Sequence, residues 1–330
     1  MEIVWNIMLL AVSFFLLSKG ADYFVDGASG IAEKLKIPQI IIGLTIVAMG
    51  TSAPEAAVSI SAALEGNAAI TIGNIVGSNI LNILIILGIS SAITTLAVGK
   101  DTNFVDIPVM LGATIILFAL GFDGGINYID GIIFLVVFVL YLAYLFIIAR
   151  SRINKREEAI ARENLLAADG EATAEAEAQA KKRSLIVAIG LAVMGLILII
   201  VGSNLAVDSA TFLAQKMGVS DRFIGLTVVA LGTSLPELFT SVTAAIKKNA
   251  DIAIGNIVGS NIFNILFIVG LSSVITTVPF EQKFLIDTAV ALAAGIILWV
   301  PCLAKKSIGR TTGIVMLASY CAYFVYLLLV

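Results

Sequence analysis

Two glutamates stand where this apolar chain can least accommodate a charge. Glu55 follows Thr51-Ser52-Ala53-Pro54, and Glu237 follows Thr233-Ser234-Leu235-Pro236, each inside a segment long and apolar enough to span a bilayer. An ionised carboxylate at that depth costs at least ~2.5 kcal/mol, and such residues normally face a bundle interior or an ion pathway. A purely capping role needs only Gln or Ser. Glutamate used twice at matching depth brings two negative charges together, and without a cation their repulsion and desolvation favour a proton on at least one of them. Two carboxylates with neighbouring carbonyls and hydroxyls suit calcium, which takes about six to eight oxygen ligands. The available chemistry is reversible capture of a hard cation.

The same spacing occurs twice because the chain is one unit used twice. A constant offset of 182 residues carries GLTIVAMGTSAPE onto GLTVVALGTSLPE and GNIVGSNILNIL onto GNIVGSNIFNIL, over Gly43 to Thr95 and Gly225 to Thr277. Ser52 to Glu55 has the S-x-x-E spacing of a capping box with proline in the first turn, which marks the start of a helix. A span that stops near Gly50 and restarts near Ala53 leaves carbonyls around Val47 to Gly50 without helical partners. That is tolerated in a membrane only where they face protein, water or ions. In the following segment Asn74, Ser78 and Asn82 recur every four residues and share a helix face, as do Asn256, Ser260 and Asn264. Gly73 with Gly77, and Gly255 with Gly259, permit close helix approach, and Asn74 and Asn256 could serve equally as interhelical glue.

Those residues need a membrane framework, and the composition supplies one. The chain of 330 residues is 59% hydrophobic and 13% charged, with a mean hydropathy of +1.05, which excludes an ordinary soluble domain. Runs able to cross a hydrocarbon core of ~30 Å fall near 4–28, 38–65, 69–92, 104–121 and 128–149, and again near 184–212, 222–246, 252–276, 284–303 and 311–329. The expected fold is an all-α integral membrane protein of ten transmembrane helices, with a first repeat at 1–149, a charged linker at 150–183 and a second repeat at 184–330. The first span has no basic n-region and exceeds the apolar stretch of a cleavable signal, so it is expected to remain. There is no histidine, and Cys302 and Cys321 show no partner pattern, which leaves neither a histidine zinc site nor a disulfide framework. Without a phosphate loop or a nucleotide-binding domain, energy is expected from an ion gradient rather than ATP. No nucleotide, nucleic acid or cofactor is expected as a partner.

The linker, rich in Ala, Glu, Lys and Arg, reads as a solvated, partly helical connection and lacks the Asp/Asn and Gly pattern of an EF-hand. Its side of the membrane carries most of the basic residues, among them Lys34, Lys100, Arg150, Lys247 and Lys305, against Lys216, Arg222 and Lys283 on the other. By the positive-inside rule the linker is cytoplasmic and both termini are extracellular. Five spans per repeat then make the two copies cross in opposite directions, an inverted-topology repeat of the kind found in secondary transporters. Asp22, Asp26 and Asp208 fall late in the first and sixth spans and are expected as interfacial caps or contacts, with Lys19 snorkelling or pairing with an aspartate.

At GTSAPE with GNIVGSNILN, and GTSLPE with GNIVGSNIFN, the chain closely resembles the sodium/calcium exchanger family of the cation/calcium antiporters, in its prokaryotic form. The resemblance covers nearly the whole chain. It implies a cell-membrane antiporter working by alternating access, with calcium and sodium as transported ions, the bilayer as its only other partner, and a monomer as the working expectation. Carried over by position, it implies that Glu55 and Glu237, with main-chain oxygens of Thr51 and Thr233, hold calcium. Sodium would use Ser52, Ser78, Ser234 and Ser260, carbonyls of Ala48 and Ala230, and the same glutamates, while Asn82 and Asn264 line the central position. Some relatives, including the potassium-dependent branch, have Asp where this chain has Asn264, which argues against potassium co-transport.

The resemblance further implies about three sodium ions per calcium. Two ionised glutamates neutralised by calcium carry one net charge with three sodium ions, so exchange would be electrogenic and feel ~2.3 kcal/mol per 100 mV per charge. The nearest rival is a proton/calcium antiporter with both glutamates as proton carriers, against which the serines speak. A passive channel and an intramembrane hydrolase are the other readings weighed; the lack of histidine, zinc motif and aspartic dyad argues against an enzyme.

Overall fold

Backbone groups inside a bilayer must bond within their own segment, which leaves helices as the economical choice for runs of this kind. The computed structural model describes residues 2–166, 174–218 and 230–329, and apart from four two-residue strands its regular structure is helical. Helix α1 spans Glu2–Lys34, a bent pair follows as α2 (Gln39–Thr51) and α3 (Ala53–Leu64), then α4 (Ala69–Ile93), α5 (Thr102–Asp123) and α6 (Tyr128–Leu166). The second set comprises α7 (Ala174–Lys216), α8 (Ala230–Thr233), α9 (Leu235–Ile246), α10 (Ala250–Ile275), α11 (Gln282–Lys305) and α12 (Arg310–Leu329).

Among the described residues eight helices are long and apolar enough to cross a membrane, and the bent pair α2–α3 makes a ninth. The expected span at 222–246 falls partly on 219–229, outside the described residues; its remainder is α8 and α9. The ends of the linker are helical, continuing α6 to Leu166 and beginning α7 at Ala174, and residues 167–173 lie outside the description. Large apolar side chains such as Trp5, Phe15, Leu140 and Phe146 are exposed on the outside of the bundle, where lipid tails rather than water would meet them.

Helices α1 and α7 pack along their length. A Cβ on Gly27 would lie 2.4 Å from the Ala192 amide nitrogen, and one on Gly195 the same distance from that of Phe24. Rising numbers in α1 meet falling numbers in α7, with Ser13 beside Gly202 and Gly20 beside Ile199, so the two run antiparallel. The loops pair in the same reciprocal way. Leu96–Ala97 (β1) pairs antiparallel with Ser307–Ile308 (β4), and Gly125–Ile126 (β2) with Val278–Pro279 (β3). The 182-residue offset carries β1 onto β3 and β2 onto β4, so each ribbon joins one loop from each copy.

Charged side chains sit where they find partners. Lys247, just after α9, bonds Asp26 at 2.7 Å and reaches Asp22 at 3.4 Å, tying the end of α1 to the end of α9, while Lys19 pairs with Asp22 at 3.8 Å. Asp208 is exposed. Two tyrosines, one buried and one half-buried, hold carboxylates between helices: Tyr141 donates to Asp106 at 3.0 Å, and its offset equivalent Tyr323 donates to Asp287 at 2.9 Å.

Candidate cation site

Pro54 and Pro236 lie in the first turn of α3 and α9, a position that tolerates a missing N–H. Ser52 precedes α3 with φ −82° and ψ 9°, Ser234 precedes α9 with φ −91° and ψ 4°, and neither side chain caps its helix. The capping-box expectation is therefore corrected. Ser52 directs its hydroxyl across the bundle, donating to Glu237 Oε1 at 2.8 Å, and Ser234 reciprocates on Glu55 Oε1 at 3.2 Å.

The break is also milder than a full interruption. The axes of α2 and α3 bend by 50°, and the Ser52 N–H still bonds the Ala48 carbonyl at 3.0 Å. That carbonyl, expected to lie open, also takes hydroxyl contacts from Ser260 and Thr51, each at 3.3 Å. The proline removes only its own N–H, so the adjoining turn keeps its bonds. In the second copy the Gly232 carbonyl accepts the Ser203 hydroxyl at 2.7 Å.

Glu55 and Glu237 are both wholly buried. Each has one oxygen held by serine. Ser78 and Ser234 lie 3.4 and 3.2 Å from Glu55 Oε1 and 3.3 Å from each other, and Ser52 holds Glu237 Oε1. The second oxygen of each glutamate, Oε2, is buried without a donor, as are Oδ1 of Asn82 and Oδ1 of Asn264. Asn82 lies one turn beyond Ser78, and Asn264 one turn beyond Ser260. Helix α3 packs against 264–269 and α9 against 82–87, so each glutamate helix meets the asparagine segment of the other copy. Both segments are π-helical, starting at Asn82 and Asn264, a deviation frequently found at functional sites. Buried polar atoms in native folds normally have partners; of the nine unpartnered side-chain atoms buried among the described residues these four are carboxylate or amide acceptors on the two signature motifs, the kind of oxygen a cation would satisfy. Among the described residues no cluster of three or more His, Cys, Asp or Glu forms, and these two carboxylates are the acidic groups that the two signature motifs contribute.

The remaining candidates take distinct places. Thr51 donates to Asn256 Oδ1 at 2.9 Å. Ala230 and Thr233 bound α8, immediately before Ser234. Asn74 and Asn256 act between helices: Asn74 donates to Ser59 Oγ at 3.0 Å and to the Glu55 carbonyl at 3.3 Å, and Asn256 donates to Ser241 Oγ at 2.9 Å. Gly259 meets the expectation of close approach, since a Cβ there would lie 2.6 Å from the Leu44 carbonyl oxygen. Its offset partner Gly77 has open space instead.

Asn79 and Asn261 were not singled out by spacing, because they fall one position off the four-residue stripe. They are nevertheless buried and bonded to one another and to Asn82 and Asn264. Their recurrence at the 182-residue offset was the only signal available.

The family model described as sodium/calcium exchanger protein matches residues 5–147 and again 187–329. The chain belongs to the sodium/calcium exchanger family. Within that family it is 31% identical over 348 residues to sodium/calcium exchanger MaX1 of Methanosarcina acetivorans, covering 98% of each chain. It is 34% identical to inner membrane protein YrbG of Escherichia coli over 323 residues, 97% of this chain and 95% of that protein. Solved structures of the sodium-calcium exchanger NCX_Mj superpose with a TM-score of 0.82 at 31% identity, covering 98% of this chain and 99% of that one. Members of the sodium/calcium exchanger family are ion transporters rather than enzymes, and this chain is a multi-span member of the prokaryotic type.

Proposed function

We propose that the chain exchanges sodium for calcium across the cell membrane, with Glu55 and Glu237 as the shared ligands of both ions. The carrying observation is that the two motif glutamates and the two motif asparagines each bury an oxygen without a donor, two carboxylate and two amide, contributed equally by the two copies. MaX1 and NCX_Mj, which match end to end, are named as sodium/calcium exchangers, and NCX_Mj structures were obtained with sodium and calcium or strontium.

In this reading calcium takes Glu55, Glu237 and main-chain oxygens of Thr51 and Thr233. Sodium takes flanking positions built from Ser52, Ser78, Ser234, Ser260 and the carbonyls of Ala48 and Ala230, while Asn82 and Asn264 line the centre. Burial makes an empty or half-filled site costly, because uncompensated carboxylates in a dry interior are strongly disfavoured. Only filled states should therefore cross the membrane, which couples one ion to the other. About three sodium ions per calcium would move one net charge per cycle.

The framework assigned to this cycle is ten helices in two inverted repeats, both termini outside and the linker cytoplasmic. Antiparallel α1 and α7 are the elements that move against the rest. Their close backbone contact at Gly20, Gly27 and Gly195 would let the two travel as one unit. The asparagine at 264 keeps the site at two acidic groups, which favours a potassium-independent cycle.

Calcium-45 uptake into proteoliposomes tests the reading, with the proton gradient clamped and the lumen loaded with sodium, potassium or choline. Uptake that requires internal sodium is expected. Uptake that ignores sodium and follows an imposed proton gradient would place the chain with proton/calcium antiporters.

A further inference from the structure

Asparagine presents an oxygen at one end of its amide and a donor at the other, so its value to a cation depends on which end faces the ion. Asn82 and Asn264 both leave Oδ1 unpartnered in the buried interior, and the bonds that turn them that way come from Asn79 and Asn261. Asn261 donates its Nδ2 to the Asn79 carbonyl at 3.1 Å, and Asn79 donates its own to the Asn261 carbonyl at 3.3 Å. With the donor end of each committed, only Oδ1 remains to receive a neighbour. Asn261 Oδ1 accepts Nδ2 of Asn82, and Asn79 Oδ1 accepts Nδ2 of Asn264, both at 3.0 Å.

We propose that Asn79 and Asn261 are positioning residues that lock the Asn264 and Asn82 amides with their oxygens toward the transported ions, each copy setting the amide of the other. Reversing either amide would set Oδ1 against Oδ1 and turn a donor NH2 toward a cation. The lock also joins the two copies at the site, since each orienting bond crosses between them. The proposal rests on the sodium/calcium exchange reading for the identity of the ions.

The test is a pair of double-mutant cycles on sodium-driven calcium uptake, reading KM and maximal rate separately. Asn79→Ala removes the acceptor for Asn264 and leaves the Asn79 backbone carbonyl that holds Asn261. It should raise the calcium KM about tenfold, the scale on which partners of metal ligands act. In an Asn264→Asp background the same substitution should leave KM within about twofold, because a carboxylate has two equivalent oxygens and needs no orienting. In an Asn82→Asp background the tenfold rise should persist. Asn261→Ala should show the mirror pattern, relieved by Asn82→Asp and not by Asn264→Asp.

Equal KM changes in all backgrounds would overturn the proposal and leave the asparagines as general packing residues. If the alanine variants do not fold, Asn79→Gln carries the test: it stays neutral but moves the amide oxygen out of register with Asn264, so KM should rise about tenfold alone and stay within about twofold in the Asn264→Asp background, and equal changes in both would overturn the lock. Absence of sodium-driven uptake in the unmodified protein would instead mean failure of the exchange reading.

Discussion

Ser52 of the first copy donates its hydroxyl to Glu237 of the second at 2.8 Å, and the reciprocal bond runs from Ser234 to Glu55 at 3.2 Å. Each copy thus supplies a hydrogen bond to the other copy's carboxylate. A charged acceptor strengthens such a bond to about 1.5–3 kcal/mol, enough to hold one oxygen of each glutamate in place while the other stays buried without a donor.

Glu55→Gln or Glu237→Gln should abolish calcium transport while the protein remains folded and monodisperse in detergent. The amide keeps the shape and an acceptor for the serine, but loses the charge that balances a divalent ion. Calcium-45 uptake checks each variant; retained uptake in both would remove the glutamates from the site.

Ser52→Ala and Ser234→Ala should each raise the sodium concentration for half-maximal exchange about tenfold, since each removes a serine bond to the other copy's glutamate. Sodium titration of calcium release reads this directly. Unchanged sodium dependence in both would confine the serines to a structural part.

Acidification should inhibit exchange, because a proton on either carboxylate removes charge that calcium needs. The sign of the linkage follows: calcium binds the deprotonated form, so higher calcium should move the inhibition midpoint to lower pH. Rate measurements across pH at two calcium concentrations test it, and a midpoint independent of calcium would mean the inhibiting proton binds elsewhere.

Asn264→Asp adds a third carboxyl group to the site and should change the relative dependence on sodium and calcium severalfold. Competition assays with sodium, potassium and calcium read the outcome. Unaltered ion selectivity would show that the position of Asn264 lies outside the ions' reach.

Much of this was legible from the sequence because the membrane imposes strong local rules. Apolar runs located eight of the long helices, and Pro54 and Pro236 located the starts of α3 and α9. The identities of the two glutamates followed from the cost of burying charge. What sequence spacing missed was tertiary. A capping box and a cross-bundle hydrogen bond use the same Ser-x-x-Glu pattern, and only the fold shows that Ser52 chose Glu237. Asn79 and Asn261 escaped notice because a helix-face stripe through Asn74, Ser78 and Asn82 passes beside them, and their partners sit about 180 residues away in the chain.

The central claim is that sodium and calcium compete for oxygens held by Glu55 and Glu237. Equilibrium calcium-45 binding to the purified protein, titrated with sodium, tests this most directly, with Glu55→Gln and Glu237→Gln alongside. The expected result is saturable calcium binding that sodium displaces with a Hill coefficient above one, and no such binding in either variant. Calcium binding that persists at saturating sodium, or that survives in both variants, would contradict it.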